Sequence, residues 1–265
     1  MDLFDEKNII LEKDLDEKGM QNDESKNPFL TKAKEFVCLI KYKGACGTGF
    51  FCDIPGMGDN APLTFLLTNN HVFPQDYCFF GNKFIDITIN GNPKRIELSG
   101  RKYWTNSDMD FTCIEIKKED NIKNTFSLDD NILKSNYSNE DYLNTSITTY
   151  ALNKNDNFKL YYSYGYIKDC ENWKFSHSCN TYKGCSGGCI VNENTNRVIG
   201  IHRGWNKEKD FNLGIFIKDV IDDIKKTEVE KVNHYSYNLF IDCKSLLFLL
   251  FNIESKSLLF LLFNY

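Results

Sequence analysis

Residues 184–188 read Gly184-Cys185-Ser186-Gly187-Gly188, a serine framed by glycines. Two upstream segments answer to it. One is Thr68-Asn69-Asn70-His71-Val72, entered from the apolar run Phe65-Leu66-Leu67. The other is Asp108-Met109-Asp110-Phe111-Thr112-Cys113-Ile114-Glu115-Ile116. A serine hydroxyl is a poor nucleophile at neutral pH, so a neighbouring imidazole must accept its proton in the transition state. A carboxylate must hold that imidazole in one tautomer and stabilise the imidazolium. The developing oxyanion needs donors already in place, most cheaply the backbone N–H groups of a glycine turn. Each segment alone is unspecific. Together, in the order His71, Asp110, Ser186 and each joined to a strand-like run, they point to nucleophilic attack on an amide.

Outward from these segments the chain keeps a strand rhythm. Short runs rich in Phe, Tyr, Ile and Val begin after Pro28: Phe36–Tyr42, Gly49–Ile54, Thr64–Thr68, Phe84–Ile89 and Phe111–Ile116. A polar stretch, Lys117–Asn144, separates them from a second set: Ser146–Leu152, Lys159–Ile167, Cys189–Asn192, Val198–His202 and Asn212–Ile217. Gly, Asn and Asp clusters punctuate the runs, which predicts a sandwich or barrel. Ile217, Val220, Ile221 and Ile224 then follow helical spacing, and predict a closing helix to Lys226.

The flanks differ in character. Residues 1–27 are a polar, acidic leader with a weak helical pattern over Ile9–Leu15. At the other end Lys244–Asn252 and Lys256–Asn264 carry the same sequence, KSLLFLLFN. Each apolar core is far shorter than the roughly 20 residues that span a bilayer. The tail is expected to be a loosely packed duplication, or a sticky segment for a membrane surface or self-association. The chain has 265 residues, 32 basic against 37 acidic, and a net charge of -5. That balance argues against a nucleic-acid binder, which carries a basic face. The start of the sequence lacks the basic-then-apolar pattern of a secretory signal, so an intracellular chain with reduced thiols is expected.

The sequence resembles the chymotrypsin-like (trypsin-fold) serine peptidases, in the style of compact HtrA-type and glutamyl-endopeptidase members. The likeness covers about residues 36–226. It rests on Gly47-Thr48-Gly49-Phe50, the His71 and Asp110 segments, Gly184-Cys185-Ser186-Gly187-Gly188, and Val198-Ile199-Gly200-Ile201-His202. His71 and Asp110 are 39 residues apart, and Asp110 and Ser186 are 76 apart. The resemblance implies an all-β fold of two antiparallel six-stranded barrels, about 28–120 and 145–226, with a C-terminal helix. It implies a cofactor-free serine endopeptidase acting on polypeptides. His71 would be the general base, Asp110 its orienting partner and Ser186 the nucleophile, with the N–H groups of Gly184 and Ser186 as oxyanion hole. With 39 residues after Lys226, a peptide-binding module of the PDZ kind is not expected.

The resemblance also suggests a specificity pocket. Asn180 stands where an Asp would attract Arg or Lys. Thr181 and His202 resemble the pair that receives Glu or Gln in glutamyl endopeptidases and picornaviral proteases. A hydroxyl and an imidazole N–H offer two donors; protonated His202 would favour Glu, and neutral His202 would let Gln compete. Arg203 is expected on the cleft rim or in solvent. Gly204 is expected to leave room for an extended substrate on the strand edge.

Several alternatives remain open from sequence. Asp108 competes with Asp110. Cys185 is a rival nucleophile, although the glycine register frames Ser186. A zinc site from His177, Cys179, Cys185 and Cys189 is opposed by its irregular spacing, so no metal is expected. His202 could be a core histidine. His177 and His234 read as structural or surface residues, and Trp104, Trp173 and Trp205 as packing groups, Trp205 bordering the cleft. A catalytically idle trypsin-fold protein that binds a partner through its cleft is the second functional expectation.

Overall fold

The computed structural model describes residues 9–10, 19–42, 45–57, 61–74, 84–153, 156–207 and 210–228. The strands begin with β1 (Ile9–Ile10), β2 (Val37–Tyr42), β3 (Ala45–Ile54), β4 (Leu63–Thr68) and β5 (Phe84–Ile89). Then come β6 (Asn92–Glu97), β7 (Tyr103–Asn106), β8 (Phe111–Ile116) and β9 (Phe126–Ser127). The second half holds β10 (Ser146–Asn153), β11 (Lys159–Glu171), β12 (Lys174–His177), β13 (Cys189–Asn192), β14 (Arg197–Asn206) and β15 (Phe211–Phe216). A short helix, α1 (Leu30–Phe36), precedes β2, and α2 covers residues 217–228.

The six strands β10–β15 close on themselves in the order β14-β13-β10-β11-β12-β15, because β14 pairs with both β13 and β15. The first half is a half-barrel sheet of order β6-β5-β2-β3-β4-β8-β7, with β9 added parallel to β3. The fold is therefore the all-β trypsin-like one with a C-terminal helix. Among the described residues, ladders close one ring and leave β6 and β7 as the ends of the other sheet. Pro93 in β6 fits that edge position, where a missing N–H costs no ladder bond.

Core formation follows the apolar runs. Phe51, Leu66, Phe73, Ile85, Ile87, Ile96 and Ile114 form one buried cluster in the first half. Phe126 ties the halves together, its ring centroid 4.9 Å from Phe36, 6.0 Å from Phe50 and 6.4 Å from Tyr150. Such aromatic contacts add edge-to-face attraction to the area they bury.

Two regions differ from the sequence pattern. Ile9–Ile10 form a strand where a weak helix was expected, and residues 11–15 lie outside the described residues. Residues 19–27 are built into the barrel: Gln21 and Tyr162 exchange backbone bonds of 2.8 Å, and buried Asn27 donates to Tyr150 Oη at 2.9 Å. Ile217, Val220, Ile221 and Ile224 are buried at helical spacing, as expected. The chain divides into two compact units, Met1–Ile221 and Asp222–Tyr265; the second is described only to residue 228, as the continuation of α2. The repeated 244–264 tail and His234 lie outside the described residues. Among the described residues no helix is long and apolar enough to cross a membrane.

Candidate active site

His71 sits in the turn that follows β4. The N–H groups of Val72 and Phe73 both return to the carbonyl of Asn69, at 3.2 and 3.1 Å. Val72 and Phe73 drive their side chains into the first-half core, which fixes the turn's orientation. Thr112 of β8 donates to the Phe73 carbonyl at 2.8 Å and ties the turn to its neighbour strand. Asp110 immediately precedes β8 in left-handed backbone, φ +60°. Non-glycine residues hold that conformation only when their surroundings enforce it. Here Asn69 Nδ2 donates to the Asp110 carbonyl at 3.0 Å, and the His71 N–H donates to Asp110 Oδ1 at 3.0 Å. The second carboxylate oxygen, Oδ2, meets His71 Nδ1 at 2.8 Å. A carboxylate there favours the Nδ1–H tautomer and leaves Nε2 as a basic lone pair. Nε2 is buried and has no hydrogen-bond partner among the described residues. Asp108 is exposed in the preceding turn, its N–H donating to Asn106 Oδ1 at 2.9 Å, so Asp110 takes the place beside the imidazole.

The Ser186 turn is held by its own backbone and by the other half of the molecule. Cys185 N–H donates to Tyr182 O, Gly188 N–H to Cys185 O, and Gly187 N–H to His202 O, at 3.0, 2.8 and 2.9 Å. From β3, Thr48 N–H donates to Ser186 O at 2.8 Å and Thr48 Oγ1 to Gly184 O at 2.6 Å. Thr48 Oγ1 also accepts the Leu152 N–H at 3.1 Å. The approach is so close that a Cβ at Gly187 (φ +84°) would lie 2.0 Å from Thr48 O. Only glycine fits that position. Cys185 turns the other way, fully buried with Met20, Ala151 and Tyr182, its Sγ 3.9 Å from Met20 Sδ. Ser186 is 2% exposed, and its Oγ donates to the Arg203 carbonyl at 3.4 Å.

Arg203 departs from the expectation of a solvated rim residue. It is 8% exposed, and its Nε donates to Asp110 Oδ2 at 3.3 Å. The register of β14 on β15 shifts between His202 and Gly204, which breaks strict side-chain alternation at Arg203. The guanidinium faces Trp173 at 5.4 Å from the ring centroid. Arg203 thus links the parts of the site: its side chain holds the carboxylate that faces His71, and its backbone carbonyl accepts from Ser186.

Thr181 lines a cavity of about 160 Å³ together with Asn180, His177, Trp205 and Asn212. Thr181 Oγ1 donates to Asn212 Oδ1 at 2.5 Å. His202 lies behind this wall at 1% exposure, with its Nδ1 3.2 Å from His177 Nε2. Burial pushes His177 down to about 3. Burial, followed by the neighbouring His177 and His71, holds His202 well below the usual histidine range, so both rings are neutral near pH 7. One ring of the pair donates and the other accepts. Gly204 follows the bulge, opposite Leu213. A larger hollow of about 490 Å³ lies elsewhere, between Val37 and Leu39 on one side and Leu152 and Leu160 on the other.

Among the described residues no group of three or more His, Cys, Asp or Glu side chains could hold a metal ion. Cys179 and Cys189 are buried free thiols; burial pushes Cys179 up to about 12 and Cys189 higher still.

No protein-family model matches the sequence, and a search of the curated proteins finds no match. Solved structures do. The active form of the Rv3671c protease from M. tuberculosis is 13% identical, with 82% of this chain and 93% of that one covered and a TM-score of 0.54. A serine endoprotease from Yersinia pestis is 15% identical over 78% of this chain and 67% of that one, TM-score 0.54. A Glu endopeptidase is 13% identical over 76% of this chain and 92% of that one, TM-score 0.53. At such identities the likeness is one of fold: this chain has the fold of trypsin-like serine proteases.

Proposed function

We propose that this chain is a serine endopeptidase whose acyl-enzyme forms on Ser186. His71 Nε2 takes the Ser186 proton as Oγ attacks the scissile carbonyl, then returns it to the leaving amine. Asp110 keeps Nδ1–H in place and stabilises the imidazolium. The N–H groups of Gly184 and Ser186 receive the oxyanion. The observation that carries this reading is the 2.8 Å contact of His71 Nδ1 with Asp110 Oδ2, bound through Arg203 to the Ser186 turn. A rotation of Oγ away from the Arg203 carbonyl is required for attack, and catalytic bonds of this kind often tighten only with substrate bound.

The pocket bordered by Thr181, with His202 behind it, is proposed to receive Gln ahead of Glu. A neutral imidazole supplies a hydrogen bond without a cation, and a buried carboxylate would lack its counter-charge. Peptide-library profiling tests this: Gln before the cut is expected, and a clear Arg or Leu preference refutes the pocket.

The second reading is a cleft that binds peptide without cleaving it. It is favoured by the Ser186 Oγ bond to Arg203 and the unpartnered His71 Nε2. A fluorophosphonate probe separates the two. Labelling of the native chain that vanishes in Ser186→Ala supports the enzyme; absent or equal labelling removes it.

A further inference from the structure

Strand β14 has two edges. Along one, β15 pairs from Gly200 to Asn206. Along the other, β13 pairs only as far as Ile201, opposite Cys189. The nucleophile turn then takes over: Gly187 N–H bonds the His202 carbonyl, and Ser186 Oγ meets the carbonyl of Arg203. Beyond that point the same edge is occupied by the chain's own β1. Ile10 stands opposite Trp205 and Ile9 opposite Asn206, antiparallel.

The polarity matters. As its residue numbers rise, the leader strand runs from Asn206 toward Trp205, and so toward Arg203 and Ser186. An acyl-side substrate strand must approach the nucleophile in that same direction. The leader is also anchored on the far side of the turn. Met20 is buried against Cys185, the residue before Ser186. Gly19 (φ +112°) lies so close to Asn180 of the pocket wall that a Cβ there would meet Asn180 Nδ2 at 2.1 Å.

We infer that the leader strand Ile9–Ile10 is an intramolecular competitor: it occupies the β14 edge at Trp205–Asn206, along which the acyl side of an extended substrate would pair on the proposed peptidase reading. The inference rests on Ser186 being the nucleophile for its substrate polarity; the pairing itself does not. An added strand gains main-chain bonds with any peptide of suitable shape. A tethered strand acts at an effective concentration around the millimolar range, so it competes well against dilute substrate. The leader therefore raises the substrate concentration needed for half-maximal activity.

The test uses full-length chains. In a Ser186→Ala background, a labelled peptide of residues 1–18 is titrated by fluorescence anisotropy against the native leader and against Ile9→Pro/Ile10→Pro. Proline removes the N–H groups and blocks pairing. At least tenfold tighter binding to the proline chain is expected; equal affinities overturn the inference, with no catalysis required. Hydrogen exchange on the unsubstituted chain guards against misfolding of the variant. Protected amides at residues 9–10 are expected, and exchange at the unstructured rate overturns the inference. In the Ser186 background the proline pair should lower KM about tenfold with kcat unchanged, and an unchanged KM overturns it. Should fluorophosphonate labelling fail while the anisotropy difference holds, the peptidase reading falls and the docking edge stands. Labelling with equal affinities does the reverse: the docking edge falls and the peptidase reading stands.

Discussion

The Nε of Arg203 lies 3.3 Å from Oδ2 of Asp110, the same oxygen that faces His71 Nδ1 at 2.8 Å. Both side chains of the ion pair are about nine-tenths buried, at 10% and 9% exposure. Removing one member of a buried pair leaves an uncompensated charge, commonly at a cost of about 3 kcal/mol. Arg203→Met is therefore expected to lower unfolding stability by that order. On the proposed peptidase reading it should also lower kcat more than KM changes, because Asp110 would then hold the imidazole less firmly. Arg203→Lys keeps the charge and should recover part of both losses. Urea denaturation and steady-state kinetics check this; a fall in stability with kcat intact would make Arg203 purely structural.

Thr48 holds the Ser186 turn from the other half of the molecule. Its hydroxyl donates to Gly184 O and accepts from Leu152 N–H, both buried. Thr48→Val retains the shape and orphans both groups, each worth roughly 1–3 kcal/mol. A stability loss of about 2–4 kcal/mol and weakened fluorophosphonate labelling of Ser186 are expected. Unchanged labelling kinetics would show that the turn keeps its geometry without this clasp.

Acid should unfold the protein through its buried histidines. His177 and His202 are lowered in the folded state, so below about pH 6.5 the unfolded chain binds protons that the native one refuses. Stability is then fully present above the unfolded histidine range and falls as pH drops toward the folded value, about 3 for His177. The slope is up to about 1.4 kcal/mol per pH unit for each ring. Urea midpoints at pH 7, 6 and 5 measure it. His177→Gln should flatten the dependence, and a slope unaltered by that change would assign the effect elsewhere.

The thiol beside Ser186 should be dispensable for the proposed chemistry. Cys185 Sγ accepts from Tyr182 N–H at 3.4 Å and packs on Met20, turned into the core. Cys185→Ala is expected to keep fluorophosphonate labelling at Ser186, with a stability loss of about 1 kcal/mol for the lost volume. Loss of labelling together with native-like stability would point instead to a thiol mechanism.

Much of this arrangement was legible in the sequence, for identifiable reasons. Strands β5, β8 and β13 stand where the apolar runs placed them, because burial writes itself into side-chain pattern. Strand β6 leaves little apolar signal because Pro93, Lys94 and Arg95 belong to a solvent-facing edge. Helix α1 is too short for a period to emerge. The pairing of His71 with Asp110 came with the family resemblance, in which the apolar strand follows the carboxylate directly. Arg203 did not, because strand alternation assigns it outward and only the bulge after His202 turns it toward Asp110. The partnership of His177 with His202 was equally hidden, since 25 residues separate them and neither carries a local motif. Thr48 could have been suspected from the Gly47-Thr48-Gly49 spacing, but nothing in one strand names its partner in another.

The clasp from the Thr48 hydroxyl to Gly184 O joins amino acids 136 positions apart. Neither half of the polypeptide alone carries both the His71–Asp110 pair and the Ser186 turn. On the proposed peptidase reading, a chain emerging from the ribosome presents its imidazole and carboxylate early and gains its nucleophile only once the later barrel has been synthesised and seated.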